Sequence, residues 1–207
     1  MLDEKKDGKN NSAFIKSKND LIDFLVYEKN KYGRKNIRIP LICNNEMSYI
    51  WKYNVLLRKT EYYVNTGNKI MSFIYKRWLS HYQNKHKIHI PINTFDRGLK
   101  LMHLGSILVN GRVRGGKDIS LHINTCLVAG GTNDGVPSLG DGIVVGVGAV
   151  ILGDVKLANN IAVGANAVVN KSFDEENIAI AGVPAKKISN NGRKEWNKKK
   201  PLKLKEQ

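Results

Sequence analysis

One aliphatic residue recurs every six positions between Ser138 and Phe173, and no other property of this 207-residue chain restricts its fold as strongly. The rungs are Leu139, Val145, Ile151, Leu157, Val163 and Val169. A second apolar residue stands two places before each later rung: Ile143, Ala149, Val155, Ile161 and Ala167. A period of six excludes an amphipathic helix, because six steps of about 100° leave neighbouring rungs about 240° apart, on three faces rather than one. Short extended segments satisfy it instead, since residues i and i−2 share a face of a strand. Gly, Asp and Asn crowd the intervening positions, and Asp141-Gly142, Asn159-Asn160 and Ala165-Asn166 have the turn chemistry to bend the chain between segments. Three segments then make one triangular coil of about eighteen residues, and stacked coils bury the rungs in a common interior.

Counting back in sixes from Leu139 gives Asn133, Leu127, Leu121, Gly115, Val109 and His103. Leu127, Leu121 and Val109 hold the ladder, Gly115 weakens it, and Asn133 falls in the Gly-rich segment AGGTNDGVPS, which reads as a loop or irregular rung. His103 is the anomaly. An imidazole in an apolar stack is costly unless the coil opens at that point.

Ahead of the repeats the pattern is helical. Ile15, Leu21, Ile22, Phe24, Leu25 and Tyr27 approximate helix spacing to about Lys31, with Asn19 or Asp20 as cap. After the Pro-containing link IRIPLICNN, further helices are expected from Glu46 to Tyr63 and from Asn68 to His86, separated by Asn65-Thr66-Gly67. Their aromatic stripe reads as core or subunit contact. The expected organisation is a disordered start (1–12), an α-helical accessory domain (13–87), a coiled β domain (88–188) closed by IAIAGVPAKKI, and a basic tail (189–207).

The net charge of +16 lies to a good extent in that tail, GRKEWNKKKPLKLKEQ. Nucleic acid is not expected as a partner, because no aromatic-interleaved groove or recognition helix accompanies the charge. A solvated, disordered basic tail is the preferred reading, and an anionic membrane surface or a polyphosphorylated ligand also suits the charge. Cys43 and Cys126 are far apart and without metal-ligand spacing, so neither a disulfide framework nor a metal site is expected. No apolar run approaches the ~20 residues that cross a bilayer. The expected location is cytoplasmic, with a peripheral position at the inner membrane face if the tail binds there.

Five segments carry a resemblance: HIPINT (89–94), LMHLGSILVN (101–110), AGGT (129–132), GVP (135–137) and AGVPAKKI (181–188). Together with the ladder they resemble the hexapeptide-repeat acyltransferases, mainly β proteins with a left-handed parallel β-helix. The chain looks serine acetyltransferase-like, and is most similar to the O-acetyltransferases encoded with surface or capsular polysaccharide assembly. The resemblance covers roughly residues 88–188. It implies acetyl transfer from acetyl-CoA to a hydroxyl, in a cleft between neighbouring β-helices of a homotrimer, with no metal.

By motif, His103 matches the catalytic histidine of that family. The chemistry agrees: an alcohol is a poor nucleophile at neutral pH, and an imidazole, with a reference pKa near ~6.5, can take its proton during attack on the thioester. Gly130, Gly131 and Thr132 match the Gly-Gly-Thr that supplies an oxyanion donor and pantetheine contacts. Val147 and Ala165 match small residues along the CoA arm, and Lys186 and Lys187 could reach CoA phosphates. The departures are also specific. Where serine acetyltransferases carry an orienting Asp this chain has Ile88; where they carry an Asp before the histidine it has Met102; and Val136 stands in place of a second His before a Pro. These residues belong to recognising a free amino acid. Asp96 ranks first to orient His103, with Asp134 or a backbone carbonyl as alternatives. His122 could line the same cleft, although a surface role is preferred.

The leading expectation is an acetyl-CoA-dependent O-acetyltransferase acting on a sugar hydroxyl of a surface polysaccharide or its precursor. Serine O-acetylation, N-acetylation of a nucleotide sugar, and a non-enzymatic trimeric scaffold are the alternatives.

Overall fold

A computed structural model describes residues 15–32, 45–131 and 134–193. The expected disordered start, the link IRIPLICNN up to residue 44, Thr132, Asn133 and the tail beyond residue 193 lie outside the described residues.

Three helices come first, each opened by the side chain its local sequence offers. Helix α1 (Lys18–Lys31) is capped by Ser17 rather than by Asn19 or Asp20. The Asp20 N–H donates to the Ser17 hydroxyl and the Ser17 N–H donates back to the Asp20 carboxylate, a reciprocal capping box. Asn45 caps α2 (Glu46–Asn65) and Asn68 caps α3 (Lys69–His86). Between the last two, Gly67 takes a left-handed φ of 75° that ends one helix and frees the next.

Helix α2 is the hub. Its Ile50, Trp51, Tyr53, Leu56 and Leu57 are buried in one core with Ile88, Ile90, Phe95, Leu99 and Leu101, so packing continues across residues 87 and 88. At the centre lies a buried ionic group. The Arg58 guanidinium donates to Glu28 at 2.6 Å, to Glu61 at 2.9 Å, and to the Phe95 and Asp96 carbonyls at 3.0 and 2.9 Å. Glu28 in turn accepts from the N–H groups of Gly98 and Leu99. Such a group tolerates the loss of no single partner, because the charge left behind is buried.

From residue 88 the chain winds as a coil of short parallel strands on three faces. The first face holds β1 (Ile88–His89), β3 (Ile107–Val109), β6 (Thr125–Val128), β9 (Val150–Leu152) and β12 (Val168–Val169). On the second lie β2 (Lys100–Leu101), β5 (Ser120–Leu121), β8 (Val144–Val145), β11 (Ala162–Val163) and β13 (Ala179–Ala181). The third carries β4 (Arg114–Gly115), β7 (Ser138–Leu139) and β10 (Lys156–Leu157). The domain is mainly β and its successive coils pair in parallel, as the repeat predicts.

All six rungs from Leu139 to Val169 are buried, as are Ile143, Ala149, Val155, Ile161 and Ala167. Val145 pairs with Val163 and Ile151 with Val169, the eighteen-residue step of a regular coil. Asn124, Asn160, Asn166 and Asn177 turn the corners in the left-handed region, where Asn is the best tolerated residue after Gly. Earlier the period slips twice. Leu121 pairs with Val145, twenty-four residues on, six more than the regular step. Leu101 pairs with Leu121, twenty residues on, so Leu101 and not His103 occupies the rung. The weak rung at Gly115 is filled from the preceding coil: Phe95, buried in the core, pairs with Gly115, and a Cβ there would lie 2.5 Å from its ring.

At the far end β14 (Lys186–Ser189) turns back antiparallel to β13. The body does not stop at Ser189 as the charge pattern suggested. The Arg193 guanidinium bonds the Asp118 and Ile143 carbonyls, and Gly192 lies against Asn160 and Asn177.

Candidate active site

The corner leading from the second face to the first collects four of the singled-out residues. His103 follows β2, His122 follows β5, Val147 follows β8 and Ala165 follows β11, so they descend one edge of the prism coil by coil. Backbone bonds hold the stack: Met102 N–H donates to Leu121 O at 3.0 Å, His122 N–H to Val145 O at 3.1 Å, and Asn166 N–H to Val147 O at 2.8 Å. Val147 and Ala165 are both exposed on this edge.

The two extra residues of the first coil push His103 outward, leaving its side chain 57% exposed. A structural role as a buried rung is thereby excluded. Gly105 lets the loop lie flat on the coil beneath, since a Cβ at that position would come within 2.8 Å of the Ile123 side chain. The His122 ring lies 6.5 Å from that of His103, centroid to centroid. His122 is half-buried beside it, not the surface residue preferred from sequence. Burial first, and the neighbouring His103 second, push the His122 pKa down.

Asp96 does not orient His103. Its carboxylate accepts from the Arg97 N–H at 2.6 Å and lines a separate opening with Asp20, Asp23, Phe24, Arg97 and Lys117. Asp134 lies in the loop after β6. The carboxylate facing His103 is Glu46, the first residue of α2, with Oε2 at 3.3 Å from Nδ1. Its Oε1 accepts from the Leu104 N–H at 2.8 Å. That backbone bond, ahead of the contact with His103, holds the Glu46 pKa below its ordinary value. Sequence reading missed Glu46 because fifty-seven residues separate it from His103. As a plain first-turn acid behind an Asn cap, it carries no signal of its own.

Gly130 and Gly131 sit elsewhere. They follow β6, at the opposite end of the first face from His103, and four strand residues at ~3.3 Å each separate the two edges by about 13 Å. The Gly130 N–H donates to Gly135 O at 3.3 Å, closing the neck of the loop, and Gly131 faces open space. Lys187 is paired with both oxygens of Glu175, at 2.6 and 2.7 Å, while Lys186 is exposed. Among the described residues no cluster of His, Cys, Asp or Glu is arranged to hold a metal ion, and no helix is long and apolar enough to cross a membrane.

A prism of parallel coils is a fold that known proteins share. No family model matches the chain. Among solved structures, it is similar to the serine acetyltransferase of Brucella abortus strain S19, with a TM-score of 0.62 and 22% identity, over 84% of this chain and 71% of that one. A serine acetyltransferase in complex with CoA gives 0.61 and 20%, over 83% and 71%. These likenesses establish the fold as that of serine acetyltransferases. Among curated proteins, the serine acetyltransferase of Buchnera aphidicola subsp. Acyrthosiphon pisum is 30% identical over 152 residues, 72% of this chain and 54% of that protein. The serine acetyltransferase of Helicobacter pylori strain J99 is 31% identical over 105 residues, 50% and 60% respectively. The chain thus spans about half the length of the curated relatives it matches.

Proposed function

We propose that the protein is an acetyl-CoA-dependent O-acetyltransferase built on a left-handed coil, with His103 as general base. The observation that carries this reading is the exposed His103 ring at the head of an edge on which Val147 and Ala165 stack in register, a track suited to a pantetheine arm. The acceptor hydroxyl gives its proton to Nε2 of His103 as its oxygen attacks the thioester carbonyl. Collapse of the tetrahedral intermediate expels the CoA thiolate, and the imidazolium returns the proton to sulfur. The oxyanion formed in between needs a preorganised donor, and the backbone around Gly130 and Gly131 suits that work.

Those glycines stand on the opposite edge of the same face, so one chain alone does not bring donor and base together. A second copy set edge to edge would bring its glycine loop beside the first copy's His103, which supports the homotrimer. Lys187 is engaged with Glu175, which leaves Lys186 the better placed of the two for CoA phosphates.

Serine is the acceptor that the names of the relatives and structural neighbours favour, ahead of a saccharide. A saccharide hydroxyl remains the second reading on one specific ground. Ile88 is fully buried against β3, and Met102 and Val136 are apolar, where the serine enzymes carry acidic and basic groups for a free amino acid. Thiol release from acetyl-CoA, followed with L-serine, nucleotide sugars and capsular oligosaccharides in turn, separates the acceptors. Absence of thiol release with every acceptor, together with no binding of CoA, would leave only the scaffold.

A further inference from the structure

The helical segment has so far figured as an accessory to the coil, yet it delivers the group closest to the proposed base. We propose that Glu46 is the positioning residue of His103, which makes helix α2 part of the active centre; the inference rests on the function proposed above. One carboxylate meets two consecutive residues of the catalytic loop: Oε2 faces Nδ1 of His103 and Oε1 accepts from the Leu104 N–H. With Nδ1–H donating to Oε2, the lone pair of the ring sits on Nε2, the nitrogen that points away from the helix. A carboxylate in that place also stabilises the imidazolium formed during attack.

The contact is preset by packing rather than by the mobility of two exposed side chains. Three residues on α1 and α2, or between them, hold the segment leading into His103. Asn54 Nδ2 donates to Leu99 O at 3.0 Å, the Leu101 N–H donates to the Tyr32 hydroxyl at 3.0 Å, and Glu28 accepts from the Leu99 N–H. Met102 N–H then bonds the next coil, and Gly105 seats the loop against Ile123. Helix and loop are therefore clamped on both sides of the Glu46–His103 pair. Among the described residues, the ionisable groups shown to face His103 are Glu46 from the helix and His122 from the next coil, and burial lowers the His122 pKa. Glu46 is the carboxylate of the two, and both of its oxygens reach the loop. A first-turn acid serving only the helix dipole would need neither contact.

The test uses the full chain and two readouts. Glu46→Gln keeps an acceptor for the Leu104 N–H but removes the charge, and kcat should fall by about tenfold or more with the KM for acetyl-CoA unchanged. Glu46→Asp should recover part of the loss. Independently of activity, the 15N shifts of the His103 ring should report the Nδ1–H tautomer in the parent and a shift toward Nε2–H in Glu46→Ala, with both proteins melting alike. An unchanged tautomer in Glu46→Ala, or a kcat in Glu46→Gln within about twofold of the parent, overturns the proposal. A tautomer shift in a protein that transfers no acetyl group would sustain the pairing and sink the acetyltransferase reading instead.

Discussion

The coils from Leu139 to Val169 and the first coil from Ile88 to Val109 are built from the same strands, yet they differ in what their corners do. In the later coils each corner is a Gly or Asn turn that repeats every eighteen residues, and every rung is an aliphatic side chain sealed from water. In the first coil the step is nineteen residues from Ile88 to Ile107 and twenty from Leu101 to Leu121. The two additional positions form a loop, and the loop carries His103 into solvent beside Glu46. Regularity serves burial, and the lapse in regularity exposes chemistry. The same holds for the other long step, where the Gly130–Gly135 loop leaves the coil at the opposite edge.

The largest way to break that contrast is to put charge into the regular part. Val163→Asp buries a carboxylate among aliphatic rungs and should cost about 4 kcal/mol or more. Val147→Asp, on the exposed edge, should stay within about 0.5 kcal/mol of the parent. Denaturant unfolding compares the two, and equal midpoints would refute the assignment of Val163 to a sealed interior.

His103→Ala should do the reverse, leaving stability almost untouched while acetyl transfer drops by about 10²- to 10⁴-fold. Retained turnover would move the active centre elsewhere. A smaller effect is expected at Gly105→Ala, whose methyl group would press on Ile123 and lift the loop. About a tenfold loss of kcat with a destabilisation below about 2 kcal/mol is the expected outcome. A fall in stability with normal kcat would mean that the loop does not position the ring.

The smallest effect concerns pH. Burial lowers the pKa of His122, helped by His103, and that of His86, helped by Lys85 and Lys52. As pH falls through the ordinary histidine range near ~6.5, the unfolded chain takes up these protons before the folded one. Stability should therefore be full above that range and decline below it. A melting temperature a few degrees lower at pH 5.5 than at pH 7.5, with a shallower decline in His122→Gln, is expected. A flat profile in the parent would contradict the burial of both rings.

Much of this arrangement was legible before any coordinates. The ladder from Leu139 to Val169, the Asn and Gly corners and the three helices follow from local periodicity and turn chemistry, although α1 begins at Lys18 and leaves Ile15 outside it. His103 was recognisable by motif, but its register was not. Counting in sixes assumes a constant coil, and nothing in LMHLGSILVN announces that two residues leave the ladder. Asp96, ranked first by sequence, bonds the Arg97 N–H instead of facing His103. The carboxylate that reaches the ring comes from another element, fifty-seven residues away. Lys187, a candidate for CoA phosphates by sequence, is paired with Glu175 in the folded chain.

The amino-acid order alone thus determined a coil of buried rungs, because a hydrophobic period is a one-dimensional property that each turn of chain expresses by itself. Which carboxylate meets His103, which arginine locks the helices to the first coil, and on which edges the histidine and the glycine loop stand were decided only by the folded molecule. Those contacts join residues tens of positions apart. Their partners are selected by packing and by the length of each coil, and no local pattern encodes either.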